Sequence, residues 1–382
     1  MNETILEGSA LINISKVDKI SKEMGVFYNP VMKLNRDISI LLLNTISKDK
    51  MQIALPLAGS GVRGIRFFKE LNVNKIKSIS FNDHSSKAVN SIKKNLKLNN
   101  IKKFTTIKKN NTNHIDRIIR IHNEDGNLFL LNSKGFDYID VDPFGSSNFM
   151  LDSAVKRISR EGVLAVTNTD TAALTGTYPK TCVRKYWSNA KKNYLMHETG
   201  LRILIRKIQL VGMQYDKALF PIFSYFKDHY FRIFFRCEKG KRLCDEVALE
   251  HGMFNDSGPL WSGKLWEDKL VNKMYSSILK NKENKIQLRI IKNKPMKYKI
   301  INNDEDVLRF LKIVKDESKI DALGFHDIHY LVKKSKLKVM KKKEELIKEI
   351  KELGFKAACS HFSGTGIRAD ISQDRLLRIL KE

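Results

Sequence analysis

Cysteine is scarce and scattered. The chain has four, Cys182, Cys237, Cys244 and Cys359, with no CxxC pair. That spacing argues against a disulfide framework or a four-thiolate zinc site, and leaves them as small buried hydrophobes. Long apolar runs are missing as well. None approaches the roughly 20 residues a membrane span needs, and the opening "MNETILEGSALINISK" has no basic region followed by an apolar stretch. The expectation is a soluble cytoplasmic protein without a membrane partner. No internal repeat or low-complexity tract breaks the chain.

Acids are the largest deficit. Lysine and arginine number 70 against 42 aspartates and glutamates, a net charge of +28. Such an excess favours a polyanionic partner, with nucleic acid in first place. It is also clustered. Lys93, Lys94, Lys97, Lys102, Lys103, Lys108 and Lys109 fall in an acid-free stretch, and "KKSKLKVMKKK" runs from Lys333 to Lys343. A lysine-rich solvated surface would look the same, because net charge speaks to binding rather than to fold.

With 382 residues, 42% of them hydrophobic, the chain can bury a large core and divide into two domains. Short apolar runs alternate with helix-like stretches in the first half. "MQIALPLA" ends at Ala58, "IKSISFND" at Asp83, "FDYIDVD" at Asp142 and "GVLAVTNTD" at Asp170. This rhythm predicts an open α/β sheet, mostly parallel, with ligands beyond the carboxyl ends of its strands. "ALFPIFSYFKDHYFRIFFRCE" reads as two strands turning near Lys227 and Asp228, an antiparallel edge. The texture changes near residue 240, so domains are expected at 1–240 and 241–382, the second a smaller α+β unit.

The glycines of "LPLAGSGVRGIRFFKE", Gly59, Gly61 and Gly64, fit G-x-G-x-x-G. Glycines there permit a tight turn and close approach of a nucleotide-like ligand. Asp83 follows Gly64 by 19 residues, at the end of the next strand, where an acid accepts hydrogen bonds from ribose hydroxyls. A nicotinamide enzyme and one using S-adenosylmethionine both satisfy this pattern.

"DYIDVDPFGSS" distinguishes them. An acid followed by proline is ordinary turn chemistry. It also suits methyl transfer to an exocyclic amine, whose lone pair is delocalised into the ring and must be turned towards a sulfonium. Asp142 and the Pro143 carbonyl can accept the two amine hydrogens, and Phe144 can stack on the base. Asp140, two positions earlier, should share the face of Asp142.

Eight segments then carry a resemblance, among them "EGSALINI", "VFYNPVMKLNRDIS", "AGSGVRGIRF", "DVDPFGS", "TDTAALTGTYP" and "HFSGTGIRAD". In the same order, from residue 7 to residue 370, they resemble the tRNA (guanine-26-N2) dimethyltransferases of archaea and eukaryotes. The resemblance implies a class I methyltransferase fold (Rossmann-like), S-adenosylmethionine as donor, tRNA as partner and a C-terminal tRNA-gripping domain. Carried over by motif, Arg36 and Arg66 join Gly59, Gly61 and Asp83 at the cofactor, and Asp142, Pro143 and Phe144 form the catalytic motif. The family's Asp-Ala pair before a helix is met by Asn111 and Thr112. Leu55 and Pro56 stand where relatives carry an acid, and no cysteine-rich ribbon precedes "GPLW", so no metal is expected. A monomer is favoured. Competing readings are a DNA amino-methyltransferase, which shares the acid-Pro-aromatic logic, and an inactive RNA-binding protein of the same fold.

Overall fold

Alternating Ile, Val and Phe give the first half its parallel strands. The computed structural model describes residues 2–15, 26, 28–106, 119–289, 299–301, 304–337 and 341–381. Contacts divide the chain into two compact units that interleave along the sequence. One comprises Met1–Thr167, Arg236–Lys239 and Ser276–Leu308; the other comprises Asn168–Phe235, Gly240–Tyr275 and Arg309–Glu382.

In the first unit, a hairpin of β1 (Asn2–Glu7) and β2 (Ala10–Ser15) is followed by helix α1 (Lys33–Thr45). Then come β3 (Met51–Leu55), α2 (Val62–Glu70), β4 (Ile76–Asn82) and α3 (Ser86–Leu98). A two-residue β5 (Thr105–Thr106), β6 (Ile119–His122), α4 (Gly126–Leu131), β7 (Phe136–Val141), α5 (Asn148–Arg157) and β8 (Ile158–Asn168) complete it. The strands pair in parallel in the order β5-β6-β4-β3-β7-β8. The order reverses between β3 and β7, the switch point at which an open α/β sheet forms its crevice. Both faces are covered, so the strands are near-continuous apolar runs: Ile53, Ile79, Ile119, Ile139 and Leu164 are fully buried. The four expected strands are present, whereas β6, in the charge-studded "DRIIRIHN", was not anticipated. The hairpin of β1 and β2 is extended on its β1 side by the parallel strand Lys299–Ile301.

In the second unit, short helices α6 (Thr171–Leu174) and α7 (Pro179–Tyr186) precede the long α8 (Met196–Met213). β9 (Lys217–Lys227) turns into β10 (Tyr230–Lys239) at Asp228, whose φ of +51° lies in the left-handed region. This is the expected hairpin, with its turn where the sequence places it. Towards the C-terminus three short antiparallel strands, Gly366–Ala369 between His326–Asp327 and Ala357–Cys359, pack with helices around Leu346, Ile350, Ile367 and Leu376.

The "HFSGTGIRAD" segment supplies the polar centre of this unit. Arg368, 1% exposed, donates to both oxygens of Glu198 on α8 (3.2 and 2.6 Å) and to Glu317 Oε1 (3.0 Å). It also donates to the carbonyls of Ala322 and Gly324 (2.6 and 2.7 Å). Glu317 further accepts from the Ser360 hydroxyl (2.7 Å) and contacts His361 Nδ1 (2.6 Å). Burial alone would raise Glu317, but His361 and Arg368 outweigh it and hold the carboxyl down at about 2. Cys182, Cys237 and Cys244 are buried, as expected, while Cys359 is partly exposed.

Candidate active site

Between β3 and α2 the chain turns through "PLAGSG". Gly59 and Gly61 adopt φ of +54° and +82°, and Gly61 starts the helix. Gly64 has a different task. A Cβ there would fall 2.3 Å from the Phe81 ring and 2.6 Å from Leu55, so only glycine lets α2 lie this close to the sheet. Asp83, just past β4, accepts from the Gly59 amide (2.9 Å) through one oxygen and from the Ser85 amide (2.9 Å) through the other. Acid and glycine loop therefore meet as one rim, leaving a backbone cradle that a nucleoside-bearing cofactor fits. Asn82, fully buried, donates to the carbonyls of Pro56 and Glu124 (both 3.0 Å) and ties the loops after β3, β4 and β6 together.

Asn111 and Thr112 lie outside the described residues. The neighbour of β4 in the sheet is β6, and the helix after it opens at Asp125-Gly126, where Asp125 caps α4 by accepting from the Asn127 and Leu128 amides (2.8 and 3.2 Å). A Cβ on Gly126 would lie 2.9 Å from Met150 Cε. Asp125-Gly126 is thus an acid followed by a small residue at a helix start.

At the end of β7, Asp140 and Asp142 share a face, as strand alternation requires, and both meet Arg63. Their environments differ sharply. Asp140 is buried, accepting from the Tyr138 hydroxyl (2.5 Å) and lying 3.3 Å from Arg63 Nη1. Asp142 is ion-paired to Arg63 through Oδ2, with its side chain 22% exposed. Pro143 follows, and then Phe144, 37% exposed, before Gly145 at φ +74°. Arg63 itself is fixed from α1, donating to Asn35 Oδ1 (2.9 Å) and Ser39 Oγ (3.1 Å), while Asn35 donates to Thr167 Oγ1 (3.1 Å). Sequence reasoning chose Arg66 from "GVRGIRF" and passed over Arg63, three residues earlier.

Arg36 and Arg66 gather around Glu7 of β1. Arg36 forks onto both Glu7 oxygens (2.6 and 2.5 Å), and Arg66 reaches Glu7 (3.0 Å), Asp37 (2.7 Å) and Glu70 (2.8 Å). The Tyr28 hydroxyl donates to Glu7 (2.7 Å). Burial would raise Glu7, but the two guanidiniums overcome it and hold the carboxyl at about 2. Among the described residues no three His, Cys, Asp or Glu side chains gather as a metal site, and no helix is long and apolar enough to cross a membrane.

The model of the family described as N2,N2-dimethylguanosine tRNA methyltransferase matches residues 8–257 and 248–381. The chain is 33% identical to the tRNA (guanine(26)-N(2)/guanine(27)-N(2))-dimethyltransferase of Aquifex aeolicus, over all of this chain and 96% of that one. It is 34% identical to the tRNA (guanine(26)-N(2))-dimethyltransferase of Pyrococcus abyssi, over 98% of each. The solved structure of Trm1 from Pyrococcus horikoshii in complex with S-adenosyl-L-methionine superimposes with a TM-score of 0.83 at 31% identity, across 99% of this chain and all of that one. With a shared fold, full-length coverage and an unbroken family match, the chain belongs to the N2,N2-dimethylguanosine tRNA methyltransferase family.

Proposed function

We propose that this chain transfers one or two methyl groups from S-adenosylmethionine to the exocyclic N2 of the guanine at position 26 of tRNA. The observation that carries this reading is the β7 terminus: a carboxylate oriented by Arg63, then a proline carbonyl and a partly exposed phenylalanine, in the unit that bears the glycine loop. When bound, S-adenosylmethionine supplies an electrophilic methyl group on a sulfonium. The protein supplies the rest. Asp142 Oδ2 faces Arg63, and Oδ1 offers an acceptor for one amine hydrogen. The Pro143 carbonyl takes the other, turning the nitrogen lone pair out of conjugation and into line. As the N–C bond forms and the C–S bond breaks, the proton leaving nitrogen passes to the Asp142 carboxylate. Phe144 replaces the stacking that the base loses on leaving its helix.

Gly59, Gly61 and Asp83 hold the adenosine, and Asp125-Gly126 replaces Asn111 and Thr112 beside the adenine in this reading. Arg36 and Arg66 are assigned to the methionine carboxylate, which they must share with Glu7. We further propose a cytoplasmic monomer, with catalysis in residues 1–240 and tRNA grip in residues 241–382.

Incubating the protein with labelled S-adenosylmethionine and unmodified tRNA transcripts, then mapping the modified nucleotide, tests the reading. Label on N2 of guanine 26 is expected; label on DNA, on another atom, or on no nucleotide overturns it. The same map reports whether guanine 27 is modified, as in the name of the Aquifex relative. Asp83→Ala should weaken cofactor binding by roughly 1–3 kcal/mol, since ribose hydroxyls and the Gly59 amide both lose an acceptor. Calorimetric titration measures it, and unchanged affinity removes Asp83 from the site.

A further inference from the structure

Helix α7 presents a face that the methylation chemistry does not use. Its inner side is closed by Cys182 and Tyr186, both fully buried and four residues apart. Its outer side is aromatic and apolar: Tyr178 is 61% exposed, Val183 51% and Trp187 50%. Soluble proteins rarely leave large rings this open without a use for them.

Trp187 is held open. It sits at the C-cap of α7 with φ of +55°, a left-handed conformation that glycine adopts at little cost and a bulky aromatic does not. An outlier of that kind persists where surrounding structure enforces it. Here Lys207 of α8 places its ammonium 2.9 Å from the ring centroid, bracing one face, and Arg206 donates to the Trp187 carbonyl (3.3 Å).

Around these rings the charge has one sign. Lys180, Arg184, Lys185, Lys191 and Lys192 are all exposed, and no acid occurs between Tyr178 and Lys192. Lys185 and Lys191 pair with Asp170 and Asp256, which come from elsewhere in the unit. Protein–protein contacts concentrate apolar residues and deplete charge at their centre. Aromatics interleaved with cations instead match the two features of single-stranded RNA, base faces and phosphates.

We propose that α7 and the turn after it form a second contact for the RNA substrate. Tyr178 and Trp187 stack on unpaired or splayed bases while Lys180, Arg184 and Lys192 neutralise adjoining phosphates. The inference rests on tRNA being the substrate, so wild-type labelling of a tRNA transcript is the first measurement. Its failure counts against the substrate reading and not against α7.

Tyr178→Ala, Trp187→Gly and a Lys180→Glu/Arg184→Glu double variant are then compared in the full-length chain. Glycine at 187 relieves the backbone while deleting the ring, and the other two variants leave α7's buried residues untouched. Each aromatic variant should bind an unmodified tRNA transcript on the order of tenfold more weakly or worse. The charge variant should lower the slope of log affinity against log salt by about 2, and cofactor affinity should stay at the wild-type value in all three. Wild-type tRNA affinity and salt slope across the set overturn the proposal. Altered self-association or vesicle binding with tRNA affinity intact also overturns it, and assigns the face to a second copy or to lipid.

Discussion

Asp142→Ala lowers the methylation rate by on the order of 10²–10⁴, the span of a positioned acid–base group, and leaves cofactor affinity within about twofold. The selectivity follows from placement. Asp142 directly follows β7 and is bound through one oxygen by Arg63, so its loss removes the acceptor that orients the amine without touching Asp83 or the glycine loop. Asp140→Ala behaves differently. Its carboxylate is buried against the Tyr138 hydroxyl and Arg63, so the variant loses stability as well as rate. Single-turnover rates and melting temperatures for the pair separate the two roles. Full activity in Asp142→Ala with lost activity in a folded Asp140→Ala would hand the chemistry to the inner carboxylate.

Arg368→Ala destabilises the second unit by roughly 3–5 kcal/mol, because it strands two buried carboxylates. Arg368 satisfies Glu198, Glu317 and the carbonyls of Ala322 and Gly324 at once. Lysine cannot reproduce that planar fork, so Arg368→Lys rescues little. The loss depends on pH with a defined sign. Glu317 is held at about 2 in the folded chain against an ordinary value of 4.5. The stability it contributes is complete above 4.5 and disappears as pH falls towards 2. The wild-type advantage over Arg368→Ala is therefore widest at neutral pH and narrows through that acid window. Urea titrations at pH 7 and pH 3.5 measure both quantities, and a constant difference would mean that the arginine acts by packing alone.

What the sequence disclosed has a physical logic. β3, β4, β7 and β8 were legible because buried parallel strands read as continuous apolar runs, and Gly59, Gly61 and Asp83 because backbone geometry restricts the residues allowed there. β6 was obscured because Arg120 and His122 alternate with its buried Ile119 and Ile121. The choice between Arg63 and Arg66 was beyond local reading. Both follow the same loop by a few residues, and only tertiary contacts send one to Asp142 and the other to Glu7. The "HFSGTGIRAD" motif was recognisable as a family mark, yet its work in this structure is to seat Arg368 among buried acids.

The strand that carries Glu7 leaves the ribosome long before one of its neighbours. Ile5 pairs with Lys299, a separation of 299 − 5 = 294 residues. At bacterial to eukaryotic elongation speeds of about 5–20 residues per second, β1 waits roughly 15–60 s with that edge uncovered. β2 protects only the other side, so the nascent chain carries an open strand edge over that interval, the situation in which chaperones or neighbouring copies compete for a β-edge. The arginine–glutamate cluster therefore acquires its final backing only once Lys299–Ile301 has been made.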